Sequence, residues 1–190
     1  MNDTETHIAD QIRLNVWSGL TDEATVQQLV TDILEDGADE AMLRSLVPQE
    51  FANKLEAEKS WPDETDCDKL ATAFGSLSNK GVIAMHNAGW DKSEAFHNCL
   101  EAYREAGSPK ELFGICYYTS QDIESAIDEP GIYLGYSSTR PEDEKTDSIR
   151  AGTLICDELR ATGLKVDWGG DASSRLLVHA KWQLRSSADG

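Results

Sequence analysis

Apolar positions near the start of the chain recur at helical spacing. Ile8, Ile12 and Val16 make one stripe, and Val26, Leu29, Val30 and Ile33 make a second that stops at Gly37. Thr21 and Asp22 offer a cap between them. Met42, Leu43 and Leu46 predict a short third helix that halts near Pro48, and Phe51 and Leu55 suggest another turn or two. These apolar faces are thin, so the segment should dock on the rest of the chain or on a partner. The polar run 56–66, with Trp61-Pro62 inside it, reads as a linker.

Beyond the linker the pattern alternates. Leu70, Ala73, Phe74 and Leu77 mark a helix ending at Gly81. Residues 82–85 are a continuous apolar run, the mark of a strand buried on both faces. Asp91 and Glu94 have capping-box spacing, and Phe96, Cys99, Leu100 and Tyr103 carry that helix to Gly107. Residues 114–118 predict a second strand. A helix then starts near Thr119 or Ser120, and after Pro130-Gly131 residues 132–136 predict a third strand. Pro141 followed by Glu142, Asp143 and Glu144 suits a helix start, because φ is preset and anions sit at the positive end. Leu164, Val166 and Trp168, then Leu176, Val178, Ala180 and Trp182, alternate around Gly169-Gly170-Asp171, which predicts a hairpin with one wet face.

The expected fold is α+β with α/β-like alternation: a mixed five-stranded sheet packed with helices, a C-terminal β-hairpin and an N-terminal helical segment. Its rival is a ferredoxin-like two-layer sandwich. The expected domains are residues 1–60, an acidic helical segment, and residues 61–190, an α/β sandwich domain.

Charge narrows the choice of partner. The chain has 17 basic and 35 acidic residues, a formal charge of -18. Residues 1–66 hold 4 basic and 16 acidic side chains, net 4 − 16 = -12. Nucleic acid and anionic membranes repel such a surface, so neither is expected as a partner; a basic protein is. The first ten residues carry no basic segment and no apolar run, and nothing approaches the roughly 18 apolar residues of a membrane span. Cys67, Cys99, Cys116 and Cys156 are scattered without a C-x-x-C pair, which fits small buried residues in a reducing, cytoplasmic setting.

If the first three strands run parallel, their C-terminal ends share one edge, where open α/β sheets bind ligands. That edge would gather His86-Asn87, then Thr119-Ser120-Gln121-Asp122, then Ser137-Ser138-Thr139-Arg140. A histidine beside Asp122, with donors from helix starts, suits acid–base chemistry or ligand binding. The plainer reading is that these residues cap helices and turn the chain. His97 and Cys99, two apart, point to different helix faces and do not suit a shared metal. Asp66-Cys67-Asp68 places a thiol between carboxylates, which discourage the thiolate, while a helix N-terminus there would favour it, so a reactive thiol stays open. No phosphate-binding loop, nucleophile elbow or zinc-protease motif occurs, so no cofactor and no metal are expected.

Five stretches taken together, WPDETDCDKL with the following Ala73-Phe74, GVIAMHNAGW, GICYYTSQDIESAI, PGIYLGY, and GLKVDWGG with RLLVHAKW, resemble a bacterial family described only as a domain of unknown function. The resemblance runs from about residue 61 to 182. It implies that Asp66, Asp68, His86, Asn87, Gly89, Gln121 and Asp122 belong to a recurring pattern, and it attaches no activity to them. The expected function is therefore a non-enzymatic acidic interaction or regulatory protein of inhibitor or immunity type. The alternative is an enzyme or small-ligand binder whose site rim is His86, Asn87, Gln121 and Asp122, with Asp66 and Asp68 nearby in the pattern; which residues would be catalytic is unknown.

Overall fold

The computed structural model describes residues 1–186 and divides into two compact units. One comprises Met1–Thr65 together with residues 183–186, and the other is Asp66–Trp182. No helix among the described residues is long and apolar enough to cross a membrane.

The helical unit holds α1 (Asp3–Ser18), α2 (Glu23–Ile33) and α3 (Glu40–Glu58). Each begins on a side-chain cap. Asn2 and Glu5 form a reciprocal box, Asp22 accepts from the Thr25 amide, and Asp39 accepts from the Met42 amide. The thin stripes pack on one another: Ile8, Ile12, Val16, Val26, Val30, Leu43 and Val47 form a core of the unit's own.

Pro48 does not end the third helix, which continues for ten residues past it to Glu58. Proline lacks the amide that would reach the carbonyl of residue 44. That carbonyl accepts instead from Gln27 Nε2 at 3.1 Å, while Arg44 Nη1 returns a 3.0 Å bond to the Gln27 carbonyl. A side chain of α2 thus fills the place that the proline leaves open.

The second unit runs α4 (Asp66–Ser78), β1 (Val82–Met85), α5 (Lys92–Glu105), β2 (Gly114–Tyr117), α6 (Ser120–Asp128), β3 (Ile132–Ser138), a 3-10 turn Pro141–Asp143, α7 (Glu144–Ala161), β4 (Lys165–Asp167) and β5 (Leu176–His179). The sheet order is β1-β2-β3-β5-β4, with β1 and β2 parallel and every other pairing antiparallel. This is the mixed five-stranded α+β architecture that the alternation of elements predicts.

Strand β2, second in the sheet, is buried along its whole length. Cys116 faces the core made by α4, α7 and the sheet, where Phe74, Leu77, Ile155, Leu159, Leu134 and Val178 meet. Ile115 and Tyr117 face the opposite way, onto Ala95 and Cys99 of α5. Gly135 of β3 lies opposite Tyr117, and its missing Cβ makes room for the tyrosine ring. The hairpin has the expected wet face: Val166 and Val178 pair and are buried, while Lys165, Asp167 and His179 are exposed.

Two expectations about the strands are refined. The apolar run 82–85 packs on both faces, Val82 and Ala84 toward one cluster and Ile83 and Met85 toward the other, but it lies at the edge of the sheet and only Val82 in it is fully buried. The third strand is antiparallel to the second, with Tyr117 opposite Gly135 and Gly114 opposite Ser138. The N-terminus of α6 is tied to the start of β3: Arg175 holds Asp122 and the Tyr133 carbonyl together. The chain therefore reverses at the edge where β2 ended, instead of crossing back to start a parallel strand.

Gln27→Ala is expected to destabilise the protein by about 1–2 kcal/mol, because it orphans the Arg44 carbonyl. Gln28→Ala, which removes only an exposed bond to Asp32, should cost less than about 0.5 kcal/mol. Urea unfolding of the two variants checks the difference.

Candidate functional site

The end of β1 and the end of β2 do share an edge. The loop after β1 is laid against the start of α6. The Ala88 amide donates to the Tyr118 carbonyl at 2.9 Å, extending the parallel ladder. The Ser120 amide donates to the Gly89 carbonyl at 3.0 Å, and the Gln121 amide reaches the Trp90 carbonyl at 3.4 Å. Helix-start amides that would attract an anion are thereby occupied by backbone.

Asn87 turns the loop in the left-handed region, at φ 44, and its Oδ1 accepts from Ser120 Oγ at 2.8 Å. On the far side of the loop Asp91 caps α5. Glu94 accepts from the Trp90 amide at 2.7 Å, one residue earlier than a capping box would place it.

His86 leaves the strand into an aromatic cluster. Its ring stacks on Phe74 with centroids 4.6 Å apart, and Nδ1 lies 2.9 Å from the Tyr118 hydroxyl. Tyr118 in turn meets Trp182 edge-on at 5.7 Å. Burial against these rings lowers the His86 pKa from its ordinary value and favours the neutral imidazole. Burial also raises the Tyr118 pKa, so its hydroxyl keeps its proton.

Asp122 belongs to a different constellation. Thr119 caps α6, and Asp122 completes the box by accepting from the Thr119 amide at 3.0 Å and from Thr119 Oγ1 at 2.8 Å. Both Asp122 oxygens also accept from Arg175, at 2.8 and 2.6 Å, in a forked pair that is largely buried. Arg175 Nη2 donates further to the Tyr133 carbonyl at 2.7 Å.

The candidates therefore separate. No hydrogen bond joins His86 to Asp122: the first is engaged with Tyr118 and the second with Thr119 and Arg175. Gln121 is exposed. Asp66 pairs with Lys69 at 3.0 Å and accepts from the Lys181 amide at 3.1 Å, which fastens the start of α4 to the chain after β5. Asp68 is exposed on α4.

The third polar cluster lies at the opposite edge of the sheet, since Ser138 pairs with Gly114 at the beginning of β2. There Ser148 Oγ accepts from the Ser138 amide, Thr139 Oγ1 donates to the Leu112 carbonyl, and Arg140 pairs with Asp147.

Sequence reasoning missed Arg175 and Trp182, which are distant in the chain from everything they touch. A buried acid at the third position of a helix calls for a countercharge, but nothing in the sequence says which of the cations supplies it. An open concavity of about 550 Å³ lies elsewhere, at the hairpin, lined by Arg160, Asp167, Trp168, Asp171 and Arg175. Its charges are mixed, and its arginines already hold the Val166 carbonyl and Asp122. Among the described residues no group of three or more His, Cys, Asp or Glu is placed to hold a metal.

A family model described as Domain of unknown function (DUF6891) matches residues 1–186, so the chain belongs to that family. The match takes in the helical unit, which the resemblance over residues 61–182 had left out. No curated protein and no solved structure matches the chain.

Two measurements check this geometry. Asp122→Ala strands the Arg175 guanidinium and should cost about 3 kcal/mol, while the Asp122→Ala/Arg175→Ala pair costs less than the sum of the single changes, by a urea double-mutant cycle. The His86 titration, followed by NMR, should have its midpoint below the ordinary 6.5. Because the unfolded chain takes the proton first, stability from the neutral ring is full above that pH and falls as pH drops toward the folded-state midpoint. Phe74→Ala should raise the midpoint.

Proposed function

We propose that this member of the family is a non-catalytic acidic interaction protein, of regulatory, inhibitor or immunity type, whose partner is a basic protein. The observation that carries the reading is the gathering of carboxylates at one end of the helical unit. Thr4 Oγ1 donates to Glu35 at 3.3 Å and the Asp39 amide to Glu5 at 3.1 Å, so the start of α1 abuts the α2–α3 connection. Asp3, Glu35, Asp36, Asp39 and Glu40 are all exposed there. Arg44, paired with Glu40 at 2.8 Å, is the nearest cation on α3. Such a pole steers a cationic surface toward it and repels polyanions.

The strand-end groups support the same reading from the other direction. His86, Asn87 and Asp122 each hold a protein partner, and their roles as cap, turn and core rim are complete without a substrate. The second reading, a small-ligand binder, has one observation in its favour: His86 is exposed, and desolvation of its ring lowers its pKa from the ordinary value.

The test uses the triple variant Glu35→Gln/Asp36→Asn/Glu40→Gln, which spares the capping groups Glu5 and Asp39. A basic protein captured at low salt should bind the variant about tenfold more weakly, and raising salt from about 50 to 300 mM should weaken the parent in the same way. Failure to recover any basic partner at low salt, or binding indifferent to both salt and the triple variant, overturns the proposal.

A further inference from the structure

Charges of both signs line the concavity at the hairpin, and they are not spent on one another. Arg160, Asp167, Trp168, Asp171 and Arg175 border its volume of about 550 Å³, a size usual for small-molecule sites. Arg175 is turned onto Asp122. Arg160, exposed near the end of α7, gives a 3.3 Å bond from Nη2 to the Val166 carbonyl, and among the described residues no ion pair joins it to either aspartate. Asp167 Oδ2 is held by His179 Nε2 at 2.6 Å, and Asp167 is exposed. Asp171 Oδ1 accepts from the Ser173 amide and hydroxyl and from the Ser174 amide, while Oδ2 accepts from the Ser174 hydroxyl alone, at 2.9 Å. The Ser173 hydroxyl and amide, then those of Ser174, hold the Asp171 carboxyl well below the usual carboxylate range, so it stays ionised at neutral pH.

The aromatic wall is fixed before any ligand arrives. Trp168 Nε1 donates to the Tyr136 hydroxyl at 2.8 Å, and the two rings meet edge-on at 5.9 Å. The same hydroxyl donates to the Asp171 carbonyl, which ties the indole to the loop that carries the aspartate. On its other edge the indole rests on α7, where a Cβ on Gly152 would stand 2.6 Å from Trp168 Cζ2. Walls already held in place lower the ordering cost of binding.

A simple anion in this concavity would meet two aspartates, and a simple cation would meet two arginines. A molecule that carries both signs is met by both. We propose that the concavity binds a free aromatic α-amino acid as its zwitterion, with the carboxylate on Arg160, the ammonium toward Asp167 and Asp171, and the side chain against the Trp168 indole. A guanidinium with unused donors suits a carboxylate, and a flat ring suits the indole face. The site lies within the second unit, so the inference is independent of whether a basic protein meets the acidic pole.

An NMR titration of the full chain with L-phenylalanine, following the Trp168 indole N–H, tests it. The resonance should shift saturably, with a Kd of about 1 mM or tighter. N-acetyl-L-phenylalanine, which lacks the ammonium, and L-phenylalanine amide, which lacks the carboxylate, should each bind at least roughly fivefold more weakly. Arg160→Gln and Asp167→Asn alter exposed side chains and so spare the fold, and each should weaken L-phenylalanine at least roughly fivefold. The absence of a saturable shift by about 10 mM overturns the proposal. So does either analogue binding as tightly as L-phenylalanine, or either variant binding it as tightly as the parent.

Discussion

Asp122 can sit buried at the start of α6 because Arg175 reaches it from 53 residues away. The carboxylate accepts four bonds, two from Thr119 and two from the guanidinium, so its charge is met from both sides. The guanidinium also takes the Tyr133 carbonyl. One ion pair thus gathers the cap of α6, the first turn of β3 and the residue preceding β5. Remove either partner and the other is left as a buried charge, which is the costly way to break such a pair.

Much of the sheet's arrangement hangs on that junction. With the start of β3 held beside the start of α6, β3 runs back along β2, and Gly135 meets Tyr117. With Arg175 fixed there, β5 lies next to β3, and β4 is pushed to the edge. The β1 loop then finds the first amides of α6 facing it and supplies the carbonyls of Gly89 and Trp90. At this polar strand-end edge Asn87, Thr119, Ser120 and Asp122 bond to neighbouring protein groups and join three connections, while His86 and Gln121 stay exposed.

What was legible in the sequence was local. Asp22, Asp91 and Thr119 with Asp122 announce their helices, since a cap acts within three residues. The alternation of Val166 with Val178 shows its wet face for a similar reason. What was hidden depends on distant pairs. Pro48 reads as a stop until Gln27, twenty-one residues upstream, is seen to satisfy the carbonyl that the proline cannot. The run 82–85 reads as a strand buried on both faces, and its place at the sheet edge is not legible because edge and interior strands differ in neighbours, not in local pattern. His86 and Asp122 look like partners in the sequence, and each turns out to have a nearer one in space.

The same pairings shape the protein's surface. Lys54, Arg140 and Arg175 are spent largely inside, each against a carboxylate. Every such pair withdraws one charge of each sign, so the net charge of -18 is unchanged, but fewer cations remain outside to intersperse with the exposed acids. The helical unit shows this most: Lys54 is sealed, Arg44 is turned onto Gln27 and Glu40, and Lys59 is matched by Glu56. At the pole built from Asp3, Glu35, Asp36, Asp39 and Glu40 the exposed carboxylates outnumber the two cations beside them, the Met1 ammonium 4.0 Å from Glu5 and Arg44 on Glu40, so the local field is negative and reaches about a Debye length into solvent.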